Sequence, residues 1–219
     1  MVVEGLVAFA GAAFLIALAP GPSTVVIMRQ SVRSGRRAGL ATVLGNEAGV
    51  LAWGVAAAVG LSALLVASQV AYDVLRVTGA AVLVYFGARA LWQARRGADA
   101  AEGGDAPQDG PAGDAAGVPV PVWRCFRLGL VTNIANPKAG VFAVSFLPQF
   151  VPSGWPVMAA LLLLAVLWAL IDLVWYAGVV WLAGLARRTL VRPAVRRWLE
   201  RVSGAVLVGL GVRLAAETR

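Results

Sequence analysis

Two carboxylic acids lie deep within apolar segments of this sequence and could carry protons. Glu47 occurs in TVLGNEAGVLAWG and Asp172 in VLWALIDLVWYAG. Acids inside a membrane are costly, usually face the interior of the helix bundle, and commonly belong to proton, ion or substrate pathways. Because the chain has no histidine, these acids are its obvious proton carriers. We expect both to face one cavity at the midplane; the structural alternative is a neutral acid that ties two helices together.

Two proline motifs supply a second kind of chemistry. LAPGPST at 18–24 and NIANPKAG at 133–140 each interrupt an apolar segment. Proline lacks an amide hydrogen, so the carbonyl four residues earlier loses its usual donor, and such a break survives at membrane depth only where protein or cavity water satisfies the freed groups. A helix that restarts after the break directs free N–H groups at its surroundings, which suits a substrate carboxylate. The predicted substrate-binding residues, on and around these breaks, are Pro20, Gly21, Pro22, Ser23, Thr24, Asn46, Asn133, Asn136, Pro137 and Lys138.

Lys138 is the one basic residue well inside an apolar segment. Three roles fit its position. It counter-charges Glu47 or Asp172, it binds a substrate carboxylate, or it extends its apolar stem toward the cytoplasmic face. The sequence leaves these alternatives open.

The composition argues against several function classes. With no histidine and one cysteine, the chain has no internal disulfide and lacks the soft ligands of a zinc or cadmium site. Ser23 or Thr24, as a nucleophile, would have no histidine to activate it. The net charge of +8 comes from basic residues at the ends of apolar segments rather than along one polar face, which argues against nucleic-acid binding. We therefore predict no enzymatic activity, no metal, no cofactor and no nucleic-acid partner.

The segments that position these residues are long enough to cross a membrane. The chain has 219 residues, of which 60% are hydrophobic, and a mean hydropathy of +0.79. A spanning helix needs about 20 mostly apolar residues. Apolar stretches of this kind occur at 5–28, 38–66, 74–91, 126–151, 156–186 and 198–215, which predicts six transmembrane helices.

Basic residues between these stretches predict the orientation. The first, third and fifth connections hold most of the 19 Lys and Arg residues, whereas the second and fourth, at 67–73 and 152–155, hold none. The positive-inside rule places the basic connections in the cytoplasm. Both the N-terminus and the C-terminus are therefore predicted to lie outside.

The two halves of the chain resemble each other. AAVLVYFGAR at 80–89 aligns without a gap with GAVLVGLGVR at 204–213, and each half carries one proline break and one intramembrane acid. Because each half has three helices, the second copy crosses in the opposite sense, which makes an inverted repeat. We predict one membrane domain over 1–219, with repeat one at 1–92, a disordered cytoplasmic linker at 93–122 and repeat two at 123–219.

The chain also resembles the LysE/RhtB family of bacterial amino-acid exporters. The similarity rests on APGP at 19–22, SGRRAG at 34–39 and NPKAGVFAVSFLPQFV at 136–151, in that order. It implies an inner-membrane protein of about six helices that exports amino acids by proton antiport, and it is compatible with a homodimer. The resemblance extends to the site residues Pro20, Gly21, Pro22, Asn136, Pro137 and Lys138, whereas the role of Glu47 rests on its burial alone.

The sequence thus predicts an all-α integral membrane protein with six transmembrane helices in two inverted three-helix repeats. We interpret it as a secondary transporter that exports small amino acids or related metabolites across the bacterial inner membrane by proton antiport. Its expected partners are the amino-acid substrate, protons and membrane lipids. The alternative is a passive channel or a structural membrane subunit without coupled transport.

Overall fold

The described part of the protein is helical. The computed structural model describes residues 2–18, 21–67, 120–152 and 154–182, with scattered residues between 74 and 95 and between 197 and 212. The all-α prediction is confirmed for these residues, and most of the predicted linker at 93–122 lies outside them. The helices are α1 (Val2–Leu18), α2 (Pro22–Ala67), α3 (Val122–Ile134), α4 (Pro137–Val141) and α5 (Val157–Trp181), with a π-helical turn (Phe142–Phe146) and a 3-10 turn (Leu147–Phe150) between α4 and α5.

The first apolar stretch is not one continuous helix. Helix α1 ends at Leu18 and α2 begins at Pro22, as the proline motif predicts. Proline suits the first position of a helix, because that residue has no intrahelical partner for an amide hydrogen. Pro20 itself lies outside the described residues.

A single glycine replaces the loop expected between the first two stretches. Within α2, Gly35 has φ 84° and ψ 176°, a conformation that glycine adopts without steric cost. Ser31 lies against Gly39, where an added Cβ would overlap the Ser31 hydroxyl. Eight residues of straight helix would separate these positions by about 12 Å, so the chain folds back at Gly35. We call the two arms α2a, residues 22–34, and α2b, residues 36–67.

By length and composition, two described segments are candidates to cross a membrane: Pro22–Ser62, of which α2b is the longer arm after the reversal at Gly35, and Val157–Trp181. Val3–Leu18 is a shorter apolar helix. In α5, one side exposes large apolar residues at helical spacing, as a surface in contact with lipid does. These residues are Leu163, Val166, Leu170 and Val174. The opposite side of α5 is buried against α1, α2 and the turns that follow α4.

Glycines bring α2b and α3 into backbone contact. A Cβ added to Gly45 would overlap the carbonyl of Phe126, and one added to Gly129 would overlap the carbonyl of Thr42. Small residues permit this close approach between helices in a membrane. Since Asn46 follows Gly45 directly, this crossing brings its side chain toward α3.

The two similar ten-residue segments in the two halves also touch. A Cβ on Gly87 would lie 2.7 Å from the carbonyl oxygen of Gly204, and one on Gly211 would lie 2.9 Å from that of Ala80. In the alignment of the halves, Ala80 corresponds to Gly204 and Gly87 to Gly211, so each contact is the image of the other. Such reciprocal pairing is typical of segments related by a two-fold axis. The six-helix inverted repeat as a whole stays a prediction.

Candidate functional site

The two proline breaks lie side by side. The Nζ of Lys138 donates a hydrogen bond of 3.0 Å to the carbonyl of Ile16. This is the carbonyl that Pro20, four residues later, cannot serve, because proline has no amide hydrogen. The side-chain amide of Asn136 also donates to the hydroxyl of Ser23 at 3.5 Å. Residues of the second break therefore satisfy polar groups of the first.

Asn136 organises the second break. Its side-chain oxygen accepts a 3.1 Å hydrogen bond from the backbone N–H of Lys138, which caps the start of α4. Its backbone carbonyl accepts from the N–H groups of Ala139 and Gly140. Asparagine is among the best N-cap residues because its side chain satisfies a first-turn donor. One asparagine thus caps the start of α4 and forms a hydrogen bond across to α2a.

A chain of amides leads from α3 to the first acid. Asn133 donates to the side-chain oxygen of Asn46 at 3.1 Å, and Asn46 donates to Oε1 of Glu47 at 3.2 Å. The indole N–H of Trp53 donates to the backbone carbonyl of Asn133 at 3.4 Å. All three linked polar side chains are buried. The chain holds Glu47 in a fixed orientation at the α2b–α3 crossing.

The two acids belong to one buried cluster. Glu47 and Asp172 are each 6% exposed, and their carboxyl groups interact electrostatically. Asp172 also interacts electrostatically with Lys138. Among the described residues, neither Oε2 of Glu47 nor Oδ1 of Asp172 has a hydrogen-bond partner. Buried acceptors without donors are costly, so these oxygens are suited to a ligand that brings donors.

Helix α5 closes the cluster on its cytoplasmic side in the predicted orientation. Tyr176 lies one turn after Asp172, and its hydroxyl is 3.4 Å from that of Thr24 on α2a. The Tyr176 ring packs with Ile27 and Val43, both fully buried. This contact lies between the acids and the basic connection at Gly35.

Aromatic rings close the other side. Trp168 lies one turn before Asp172, and its ring is 4.6 Å from that of Phe142. Phe142 and Phe146 lie on the π-helical turn with ring centroids 4.6 Å apart, and both stack with Phe9 of α1. Short π-helical segments occur frequently at functional sites. The polar cluster is therefore enclosed between an aromatic layer and a thin tyrosine–threonine contact.

Most of the predicted site residues lie in the polar cluster, but Gly21, Pro22 and Pro137 do not. The prolines Pro22 and Pro137 are exposed, so they shape the breaks while their neighbours face inward, and Gly21 is half-buried between α1 and α2. Pro20 lies outside the described residues. The residues that the structure brings into the polar cluster are Ser23, Thr24, Asn46, Glu47, Asn133, Asn136, Lys138 and Asp172.

Comparison with known proteins identifies the family of the chain. The model of the LysE type translocator family matches residues 6–218. The chain belongs to this family. The expected family resemblance is confirmed, and the protein is a membrane translocator of the exporter type.

Individual relatives of this LysE type translocator are distant but match over nearly their full lengths. It is 26% identical to the uncharacterized membrane protein YrhP of Bacillus subtilis (strain 168), over 96% of this chain and 98% of the relative. It is 27% identical to the homoserine/homoserine lactone efflux protein of Salmonella typhimurium and to that of Salmonella typhi, in each case over 92% of this chain and 91% of the relative. No solved structure matches.

Three aromatic residues at the site of this LysE type translocator, Trp53, Trp168 and Tyr176, were not predicted from the sequence. Trp168 and Tyr176 flank Asp172 at spacings of one helical turn, so they share its face of α5. The spacing of these residues in WALIDLVWY, at 168–176, could have predicted that they lie beside Asp172. The bond between Trp53 and Asn133 had no comparable signal, because it depends on how α2b and α3 cross.

Asn46→Leu is expected to destabilise this LysE type translocator, because it leaves both Glu47 and Asn133 without an amide partner. Each unsatisfied buried polar group costs about 1–3 kcal/mol, so the midpoint of thermal unfolding in detergent should fall by several degrees. Thr42→Val is the matched control on the same helix, since its hydroxyl donates to the carbonyl of Ala38, one turn earlier in the same helix. Equal midpoints for the two variants would contradict the proposed amide chain.

Proposed function

We propose that this translocator exports small zwitterionic or cationic amino acids, or related metabolites, across the bacterial inner membrane in exchange for protons. The observation that carries this proposal is the convergence of both proline breaks and both acids on one buried cluster. Paired breaks of this kind characterise the substrate sites of secondary transporters. Beside these breaks, the carboxyl oxygens that have no hydrogen-bond partner among the described residues suit an ammonium group.

The substrate ammonium is proposed to bind the free oxygens of Glu47 or Asp172. Two of the relatives are described as efflux proteins for homoserine and homoserine lactone. The lactone has an ester in place of the free carboxylate, so the features common to both molecules are the ammonium and a short polar carbon chain. Carboxylate recognition is therefore secondary, and the acids supply most of the selectivity.

The substrate carboxylate is proposed to bind at the start of α2a. The first N–H groups of a helix have no intrahelical partner, and the positive end of the helix dipole favours an anion there. Ser23 and Thr24 are the first residues after Pro22 and add hydroxyl groups at that position. Asn46, Asn133 and Asn136 are proposed to line the same site with their amide groups.

Coupling is proposed to follow from proton competition. A proton that reaches Glu47 or Asp172 from outside neutralises the carboxylate and releases the ammonium. The cluster then opens alternately to each side as one inverted repeat rocks against the other. The reciprocal glycine contacts between the halves support this arrangement, and the basic connections support a topology with both termini outside.

Counterflow in proteoliposomes tests the proposal. Purified protein is reconstituted into vesicles loaded with unlabelled amino acid, and uptake of labelled L-homoserine, L-threonine, L-lysine or L-glutamate is followed with and without a pH gradient. We expect L-homoserine to exchange and a pH gradient to drive its net movement. Absence of counterflow for every compound would contradict an amino-acid transporter. A leak that ignores the pH gradient would instead favour a passive channel.

A further inference from the structure

We propose that Lys138 is a counter-ion that pairs with the Asp172 carboxylate in the empty transporter. When substrate binds, the substrate ammonium replaces Lys138 as the partner of this carboxylate. This inference rests on the proposed function and assigns one of the open roles to this residue. Lys138 then acts in the return step, in which the transporter reorients without substrate.

The Lys138 ammonium lies at a position that favours a cation, beside the end of α1. Its hydrogen-bond acceptor, the carbonyl of Ile16, lies in the last turn of α1, which ends at Leu18. Carbonyl groups at the end of a helix lack amide partners and carry the negative end of the helix dipole, which favours a positive group. The Asp172 carboxyl adds an electrostatic attraction from α5. Helix end and acid together suit any ammonium group.

The backbone of Lys138 is held in place by a hydrogen bond. Its N–H is held at 3.1 Å by the side chain of Asn136, in the first turn of α4. The flexible four-carbon stem is then the only part free to move the ammonium. A lysine has three donors, and the bond to Ile16 uses one of them at 3.0 Å. The ammonium can therefore move relative to the Asp172 carboxyl while its bond to the carbonyl of Ile16 is kept.

Charge balance explains why a tethered cation is useful. A buried carboxylate without a partner is strongly unfavourable, so an empty site that contained a bare Asp172 would resist reorientation. With substrate bound, the substrate ammonium supplies the missing charge. With the site empty, Lys138 supplies it to Asp172, and the proton that is exchanged for the substrate is carried by Glu47. The loaded transporter therefore needs Lys138 less than the empty one does.

The Lys138→Met variant separates these two steps. Proteoliposomes are assayed for exchange, with L-homoserine on both sides, and for net efflux into buffer without amino acid. We expect net efflux to fall at least about tenfold because the empty site loses its counter-ion, while exchange stays within about twofold of the wild-type rate. Damage to the fold would lower both rates together.

Lys138→Arg and Lys138→Gln complete the test. Arginine keeps the positive charge and should retain net efflux, whereas glutamine should behave as methionine does. Unchanged net efflux in the Met and Gln variants would overturn the proposal. So would an equal loss of exchange and net efflux, accompanied by a higher half-saturation concentration for L-homoserine, because Lys138 would then be binding the substrate itself. If the wild type shows no counterflow, it is the proposed function that fails.

Discussion

Asp172→Asn should lower pH-driven export of L-homoserine by at least about tenfold, because the breaking of a buried charge pair by removal of one partner costs about 3–5 kcal/mol. The substitution removes the carboxylate that interacts with Lys138 and with Glu47. It also removes one of the two open acceptors proposed for the substrate ammonium. Both exchange and net efflux are expected to fall, which distinguishes this variant from those at Lys138.

Glu47→Gln should produce a different defect. The amide keeps the shape of the side chain and can still accept from Asn46, so the chain of bonds to Asn133 survives. The variant cannot release a proton, and its exchange should therefore lose its response to a pH gradient. The measurement is exchange of labelled L-homoserine at several internal and external pH values.

Glu4→Gln is the matched control for both acids. Glu4 is an exposed acid in the first turn of α1, at the opposite end of that helix from the first break. Its neutralisation should leave both the rate and the pH response of transport within about twofold of wild type, as is usual for surface changes. Coupled flux that survives both Glu47→Gln and Asp172→Asn would remove the proposed proton carriers.

Gly45→Leu should prevent the native fold from forming. A Cβ at this position already overlaps the backbone carbonyl of Phe126, and a backbone group cannot rotate away as a side chain can. Gly45→Ala gives the graded version: overpacking costs about 1–3 kcal/mol, which lowers the unfolding midpoint by about 2–12 °C for a chain of this size. Thermal unfolding and the monodisperse fraction in detergent measure both variants.

Gly60→Ala is the control in the same helix. A Cβ on Gly60 meets nothing within 4 Å, and alanine has the higher helix propensity. Its unfolding midpoint should therefore equal or exceed that of the wild type. If Gly45→Ala were equally well tolerated, the close crossing of α2b and α3 would not be what positions Asn46 against Asn133.

The broken helices could be predicted from the sequence because their cause is local. A proline cannot supply an amide hydrogen in any context, so the interruptions near Pro22 and Pro137 follow from covalent structure. Burial of Glu47 and Asp172 follows nearly as directly, since each lies within a long, uncharged and mostly apolar segment. A connection between the first two stretches was predicted from its basic residues, but its formation by the single residue Gly35 was not, because this depends on the backbone angles of that residue.

The sequence by itself determined the residue types that the site requires: two proline breaks, two intramembrane acids and one lysine among apolar residues. Only the tertiary structure decided their partners. It joined Lys138 to Ile16, Asn136 to Ser23 and Asn133 to Asn46. The physical reason is that periodicity and composition act within one segment, whereas these bonds depend on how closely separate helices approach, and glycine contacts such as Gly45 with Phe126 set that distance.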